Sequence, residues 1–179
     1  ALSEGDLSRR THLSREDEIG SISSSMNNVA DTMQNLLNTL ESQVEERTEA
    51  LHENKEQLEL LLNSTAEGIY GIDLEGICTF CNQSAVTILG YESQEHIVGK
   101  QVHALIHHSH RGGKPRPISE CKIFQAIQEG RGIAAEDEVF WRADGSSFVV
   151  SYHAYPQIRS GNVVGGVVSF MDITQRRQK

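Results

Sequence analysis

The chain has 179 residues, of which 37% are hydrophobic, and it carries a formal net charge of -9 at pH 7. This size predicts one globular domain plus an extended element, since two full globular domains would need a longer chain. The acidic balance argues against a nucleic-acid partner, because phosphate contacts require a clustered basic face.

Apolar runs and cysteines predict the compartment. The best apolar run, Val163 to Met171, has nine residues and contains two glycines, which is too short to cross a bilayer. The three cysteines are an odd number without the density of a secreted disulfide scaffold, which indicates a reducing environment. The N-terminus has no secretory signal pattern. We therefore expect a cytoplasmic chain and, because Ala1 begins in the middle of a polar segment, a piece of a longer protein.

The first predicted element is a long helix. Ser14 and Asp17 have the spacing of a capping box, which predicts that the helix begins there. Seam positions then recur at steps of three and four, which predicts a coiled coil. An additional four-residue step from Met33 to Leu37 is a stutter, which locally unwinds a supercoil. The seam consists of Ile19, Ile22, Met26, Val29, Met33, Leu37, Leu40, Val44, Arg47, Leu51, Asn54, Leu58 and Leu61.

The N-terminal part of this helical region resembles a HAMP domain, the dimeric four-helix relay of bacterial sensors. The resemblance rests on the segments 5–7 and 17–20, which match the connector and the entry to the second helix, and it covers residues 1–40. It implies that Asp17 and Glu18 bias the second helix. It is partial, because the family's first helix would precede residue 1.

The second part of the helix, residues 41–62, resembles the signalling-helix linker that follows HAMP in many sensor kinases and diguanylate cyclases. The segment from Val44 to Leu51 carries this resemblance. It implies a parallel homodimer in which a change of rotation or packing passes through the stutter. A second interpretation stays open, since a plain dimerising coiled coil without a switch tolerates the same step.

After residue 67 the pattern changes to short strands and helices. The predicted strands are 68–74, 76–81, 136–142, 147–155 and 163–172, and the predicted helices are 82–90, 93–98, 100–106 and 119–129. Glycine turns at Glu75-Gly76, Asp144-Gly145 and 160–162 join consecutive strands into hairpins. This order predicts an α+β fold: a long N-terminal coiled-coil helix followed by a five-stranded antiparallel sheet with short helices on one face.

Five motifs in this region resemble those of a PAS domain, a sensory module with that fold. They lie at residues 82–85, 89–91, 98–100, 141–145 and 171–174. The resemblance spans about residues 56–175. We place the domain at residues 63–175 and the start of an output linker at residues 176–179.

The resemblance also implies a route by which the domain passes a signal to its exit. In the family, the aspartate of the closing Asp-x-Thr often bonds back to the sheet near a Trp-Arg pair. Here that would pair Asp172 with Arg142, next to Trp141, or with nearby backbone, and so tie the sheet to the exit that contains Thr174. The alternative is that Asp172 and Thr174 only cap the helix that follows.

The densest group of potential ligands comprises His103, His107, His108 and His110, followed by Cys121; His103, His107, His110 and Cys121 are the candidates for a shared site. The spacing of four and three residues between the histidines allows two or three imidazoles to converge, and with Cys121 they reach the ligand count of a zinc site. The alternative is a polar helix end with solvated histidines and a core cysteine.

Other cofactors are less well matched by the sequence. Some PAS sensors bind haem through a histidine, for which His107 or His103 is the candidate here. In the oxygen-sensing branch of the family this histidine lies on the long helix before the third strand, but the corresponding predicted helix, 119–129, contains no histidine. Cys121 lacks the motif of the flavin-binding, light-sensing branch. Cys78 and Cys81 have CxxC spacing, but residues three apart on a regular strand point to opposite faces, which argues against redox pairing.

The sequence contains no nucleophile elbow, phosphate loop, kinase nucleotide-binding motif or cyclase signature. We therefore expect no enzyme activity in this chain. We expect a sensory and relay segment of a bacterial transmembrane receptor, in the cytoplasmic portion of an inner-membrane protein, whose output domain is a histidine kinase or diguanylate cyclase. Two alternatives stay open: a PAS sensor for haem, a metal or a small metabolite, and a structural dimerisation module.

Overall fold

Helix α1 spans Glu18–Asn63 and is the first element of the computed structural model, which describes residues 18–177. The predicted capping box and most of the predicted HAMP connector, including Asp17, lie outside the described residues. The chain divides into two compact units, residues 1–57 and 58–179. Within residues 18–177, no helix combines the length and the apolarity that a membrane span requires.

The predicted seam of α1 is exposed in the single chain. Met33 and Leu37, which flank the stutter, are 51% and 44% exposed, and the helix continues through this step without a break. The same side of the helix carries the exposed apolar residues Ile19, Ile22, Met26, Val29, Leu40, Val44, Leu51, Leu58 and Leu61. An apolar stripe of this length on a helix is typical of a surface that packs against another helix.

The rest of the chain forms a five-stranded sheet with short helices. The strands are β1 (Gly68–Ile72), β2 (Cys78–Cys81), β3 (Ile133–Trp141), β4 (Ser147–Arg159) and β5 (Asn162–Asp172). Their order in the sheet is β2-β1-β5-β4-β3, and every neighbouring pair is antiparallel. The predicted fold class is confirmed.

Strands β4 and β5 are longer than predicted, because they run up to a two-residue turn. Ser160 and Gly161 connect them with φ values of 50° and 81°. Positive φ at both central residues matches the tight hairpin turn whose twist suits antiparallel strands. The ladder therefore continues to the pair Arg159 and Asn162, where a longer loop would have ended it earlier.

The expectation that Cys78 and Cys81 point to opposite faces is wrong. The register between β1 and β2 shifts after Gly71, which makes Thr79 an additional residue in β2 and forms a bulge. A Cβ placed on Gly71 would meet both Phe80 and Thr79, so these two side chains share the outer face. Both cysteines are consequently buried in the core, where a hydrogen bond to Cys81, together with burial, raises the pKa of Cys78.

Short helices cover the inner face of the sheet. They are α2 (Gln83–Leu89), α3 (Val102–Ile106) and α4 (Lys122–Gln128), with 3-10 turns at Gln94–His96, Ile118–Glu120 and Thr174–Arg177. Helix α4 begins later than predicted, because Cys121 has an extended backbone. Ile127 of α4 packs directly on Gly166 of β5, where a Cβ would lie 2.1 Å from its Cδ1. This glycine therefore lets α4 approach the sheet closely.

Candidate functional site

A small cavity lies between α3, α4 and the inner face of the sheet. Its volume is about 20 Å³, which is room for a single water molecule. Cofactor pockets have volumes of about 300–1,000 Å³, so neither haem nor a flavin fits this space. The lining residues are Tyr70, Ile72, Gly76, Gln101, Val102, His103, Ile106, His107, Cys121, Ile123 and Phe124.

Helix α3 positions two of the predicted ligands. The side chain of Gln101 caps the helix by accepting a hydrogen bond from the backbone N–H of His103 at 3.0 Å. Val102 and Ile106 are buried in the core and hold the helix in place. Since His103 and His107 are four residues apart, they lie one turn apart on the same side, and their ring centroids are 5.7 Å apart.

Cys121 meets these two histidines from the start of α4. Its Sγ lies 3.3 Å from Nδ1 of His107. One ring nitrogen of each histidine and the Sγ atom all lie within 4.8 Å of one another. The structure therefore brings three of the four predicted ligands together.

His110, the fourth predicted ligand, lies outside this group. Its side chain is 41% exposed, and its Nδ1 is 3.1 Å from Nη2 of Arg116. The chain leaves α3 at His107 and turns back on itself through a bridge between Ser109 and Pro115. This turn carries His110 away from the cavity.

Glu138 on β3 contacts the cluster from the sheet. Its Oε2 lies 3.2 Å from Nε2 of His107 and 2.5 Å from Nη1 of Arg116, and its Oε1 lies 2.7 Å from Nζ of Lys122. Nη1 of Arg116 also contacts Nε2 of His107. Because Glu138 and Arg116 are only 8% and 11% exposed, this is a buried ion pair, and removing either partner would leave an uncompensated charge.

Burial and these contacts set the ionisation of the cluster. The hydrogen bond with His107, reinforced by Lys122 and Arg116, holds the pKa of Glu138 well below its usual range. Burial lowers the pKa of His107 and of His103, and it raises the pKa of the Cys121 thiol. At neutral pH the cluster therefore consists of two neutral imidazoles and a thiol beside an ionised carboxylate.

Sequence reasoning missed Glu138 and Arg116. A signal existed for Glu138, because it lies two residues before Phe140 on the same strand and so shares its inward face, and Phe140 is fully buried. Arg116 lies in the loop between α3 and α4, where no periodicity marks an inward side chain. Its role became visible only through its contacts.

The exit of the domain is held by the ion pair that the family resemblance implied. Nη2 of Arg142 lies 2.6 Å from Oδ2 of Asp172, and Nε of Arg142 donates to the carbonyl oxygen of Ile88 in α2 at 2.9 Å. The other oxygen of Asp172 accepts the N–H of Thr174 at 2.9 Å. The Thr174 hydroxyl in turn accepts the N–H of Val149 at 3.1 Å. Asp172 thus both pairs with the sheet and caps the turn that follows.

Trp141 contacts a different part of the domain. Its indole N–H donates to the carbonyl oxygen of Ser109 at 3.0 Å, and its ring stacks on His108 with centroids 5.3 Å apart. Trp141 therefore holds the loop that follows α3.

Asn82 is a hydrogen-bonding hub at the end of α1. Its Oδ1 accepts the backbone N–H groups of Ile69 at 2.8 Å and Ala85 at 2.9 Å. Its Nδ2 donates to the carbonyl oxygens of Leu62 at 2.8 Å and Glu67 at 2.9 Å. Since Asn82 is 1% exposed, one buried amide joins the last turn of α1 to β1 and to the start of α2.

The chain is similar to Probable diguanylate cyclase DgcE of Escherichia coli (strain K12), with 29% identity over 138 residues. This similarity covers 76% of the chain but only 12% of that protein. Among solved structures, the PAS domain of an HTR-like protein from Haloarcula marismortui gives a TM-score of 0.55 at 20% identity, covering 72% of this chain and 99% of that one. A PAS domain from Colwellia psychrerythraea gives a TM-score of 0.55 at 22% identity, covering 68% of this chain and 98% of that one. At these identities the solved structures show a common fold.

The family model described as PAS domain matches residues 66–175. This range is more than half of the chain and contains the whole sheet, the cavity, the Asn82 hub and Asp172. The chain therefore belongs to the PAS domain family.

Proposed function

We propose that this chain is the sensory and signal-relay segment of a bacterial transmembrane receptor and works as a parallel homodimer. It lies on the cytoplasmic side and passes a conformational signal through a partial HAMP segment (connector and second helix) at residues 1–40, a coiled coil at residues 41–62 and the PAS domain to a C-terminal output domain. The ion pair between Arg142 and Asp172 is the observation that carries the proposal, because it joins the sheet to the exit of the domain.

A chain of hydrogen bonds supports a route from α1 to that exit. Asn82 holds the carbonyl oxygen of Leu62 in α1 and caps α2. At the other end of α2, Arg142 holds the carbonyl oxygen of Ile88 and also pairs with Asp172. A displacement of the end of α1 would therefore shift α2, and Arg142 would transfer the shift to Asp172. Such a route relays a signal only if its elements have two arrangements, and a coupling measurement is the test of this condition.

The exposed seam of α1 supports the homodimer. Single-chain exposure near one half at Met33, Leu37 and Leu40 would be removed by packing against the same seam of a second copy. Seven glutamates between residues 41 and 59, set against Arg47 and Lys55, fit the solvated outer face of such a coiled coil. The stutter at Met33 and Leu37 would be the point at which the two helical halves change their relative rotation.

The output domain is proposed from a relative that extends well beyond this chain. The similarity to Probable diguanylate cyclase DgcE favours a diguanylate cyclase over a histidine kinase. The chain spans 12% of that protein, so the catalytic activity would reside outside the segment described.

The relay is tested in the full-length receptor by measuring output activity with and without stimulus. Arg142→Gln and Asp172→Asn should each hold the output near one level, because the exit loses its tie to α2 and to the sheet. Arg159→Gln, at the exposed end of β4, is the matched control and should keep the native response. A native stimulus response in both exit variants would contradict the relay and leave the chain as a structural dimerisation module.

The homodimer is tested by sedimentation of the 179-residue chain. Leu40→Lys places a charge in the seam and should shift the chain towards monomer, whereas Leu60→Lys, exposed but off the seam, should leave the dimer intact. A monomeric parent chain, or equal behaviour of the two variants, would contradict the seam as the interface.

A further inference from the structure

We propose that His103, His107 and Cys121 bind one zinc-class divalent metal ion, with a water molecule from the adjoining cavity as the fourth ligand. The proposal rests on the sensory function and deepens it, because it names the ligand class that the PAS domain would bind. The metal site itself is testable in the isolated chain, independently of any relay.

The three candidate ligand atoms are close to the separations that zinc requires. With Zn–S near 2.3 Å and Zn–N near 2.0–2.1 Å, two ligand atoms of a tetrahedral site lie about 3.5 Å apart. Sγ of Cys121 is 3.3 Å from Nδ1 of His107, and a ring nitrogen of His103 completes a group whose atoms all lie within 4.8 Å of one another. For a tetrahedral site to form, the widest of these separations would have to shorten towards about 3.5 Å.

The second nitrogen of each imidazole is held as in known metal sites. Ligating histidines nearly always donate their other N–H to a carboxylate or a backbone carbonyl. Nε2 of His103 lies 2.8 Å from the carbonyl oxygen of Arg116, and Nε2 of His107 lies 3.2 Å from the carboxylate of Glu138. The carbonyl oxygen accepts only, so it places the imidazole proton of His103 on Nε2 and leaves Nδ1 available as a ligand atom. At His107, Nη1 of Arg116 also contacts Nε2, while Nδ1 faces Sγ of Cys121.

One buried nitrogen is left over by the hydrogen-bond network. Nδ1 of His103 has no hydrogen-bond partner within the described part of the chain, which is costly for a buried polar atom. His103 lines the cavity beside Cys121. A metal ion would use this nitrogen, and the cavity of about 20 Å³ would supply space for the water ligand.

One carboxylate lies close enough to offset part of the charge of a divalent ion. Metal ligation needs neutral imidazoles and a thiolate. Binding of the ion would release the Cys121 proton to solvent, leaving a net charge of about +1 on the ion and its ligands. The ionised Glu138 contacts His107 next to this charge. Arg116 contacts both Glu138 and His107, and Lys122 contacts Glu138.

The experiment is titration of the purified chain with Zn²⁺, and with Co²⁺ as a spectroscopic substitute. We expect one equivalent of Zn²⁺ per chain in a native mass spectrum and a thiolate-to-cobalt charge-transfer band. Glu138→Gln, which changes the partner of His107, should weaken Zn²⁺ binding by roughly 10- to 100-fold. His103→Gln and Cys121→Ser each remove a proposed ligand and should weaken Zn²⁺ binding at least as much. His96→Gln, an exposed histidine that contacts Ser93, is the matched control and should bind as the parent does.

Circular dichroism of each variant with a chelator present separates loss of the site from loss of the fold. Cys121→Ala provides a second variant at this position, with an apolar side chain. A parent chain without stoichiometric Zn²⁺, or equal Zn²⁺ affinity in the parent, His103→Gln and Cys121→Ser, would overturn the metal site. Neither result bears on the relay, which is measured by the stimulus response of the full-length receptor.

Discussion

The carboxylate of Asp172 binds Arg142 at 2.6 Å through one oxygen and the backbone N–H of Thr174 at 2.9 Å through the other. Arg142 and Asp172 lie 30 positions apart in sequence, and Asp172 is the last residue of β5. The contact therefore joins the end of the sheet to α2 at the point where the chain leaves the domain. A charge-assisted pair at this place stabilises one arrangement of the exit over others.

The first prediction concerns the strength of this pair. Asp172→Asn and Arg142→Gln should each lower the free energy of unfolding by about 1 kcal/mol, because a partly buried charge-assisted hydrogen bond is lost. Urea denaturation of both single variants and the double variant should give a coupling energy above about 0.5 kcal/mol. The pair Asp73→Asn and Arg142→Gln, which share no contact among the described residues, should be additive and serves as the control.

The second prediction concerns the Asn82 hub. Asn82→Ala should destabilise the domain by about 3 kcal/mol, since it leaves buried backbone donors and acceptors unpaired. Asn82→Asp keeps the two accepted bonds and should cost less. Asn63→Ala, which removes one exposed bond to the N–H of Gln83, should cost about 0.5–1 kcal/mol. Equal losses for Asn82→Ala and Asn63→Ala in urea denaturation would show that the buried amide is not a hub.

The third prediction concerns the buried carboxylate. Glu138→Gln, measured with a chelator present, should lower the free energy of unfolding by about 3 kcal/mol, because it leaves the Arg116 guanidinium buried without its counter-charge. Glu136→Gln on the exposed part of the same strand should change it by less than about 0.5 kcal/mol. If urea denaturation gives the two variants the same free energy of unfolding, the ion pair does not form in solution.

The fourth prediction concerns a buried hydroxyl. Tyr152 is fully buried, and its OH has no hydrogen-bond partner in the part of the chain that the structure describes. Tyr152→Phe should therefore raise the free energy of unfolding by about 1 kcal/mol, because it removes an unsatisfied polar group. Tyr155→Phe, whose ring is 61% exposed, should be neutral. Destabilisation by Tyr152→Phe in urea denaturation would mean that the hydroxyl has a partner.

The fifth prediction concerns the stutter. Deletion of residues 34–37 removes the additional four-residue step and restores a continuous heptad pattern, so the helix should no longer relax locally. In the full-length receptor we expect output that stays at one level whatever the stimulus. Deletion of residues 44–50, a whole heptad, keeps the seam in phase and is the control. Unchanged stimulus dependence after the first deletion would remove the stutter from the mechanism.

Several elements could be predicted from the sequence because they depend on neighbouring residues. The three- and four-residue spacing from Ile19 onward predicted α1, and the glycine turns predicted the hairpins between consecutive strands. The pairing of Arg142 with Asp172 came from a motif resemblance, since nothing in local spacing brings residues 142 and 172 together. His103 and His107 were visible as a pair because four residues make one helical turn.

Other features were decided only by tertiary structure. Cys78 and Cys81 were predicted to point to opposite faces of the strand, but the additional residue Thr79 places both on the buried face. One inserted position changes which face the following side chains occupy. The turn after α3 separated His110 from the other ligands, and Arg116 entered the cluster from a loop without periodicity.

The sequence by itself determined the long helix, the five-stranded sheet and the residue types available for a site, since hydrophobic period and turn chemistry act over a few positions. Tertiary structure decided which of those residues meet. His107 and Glu138 are 31 positions apart, and their contact depends on how α3 packs on β3. The cavity of about 20 Å³ is likewise the space left between packed side chains, and its volume depends on how α3, α4 and the sheet pack together.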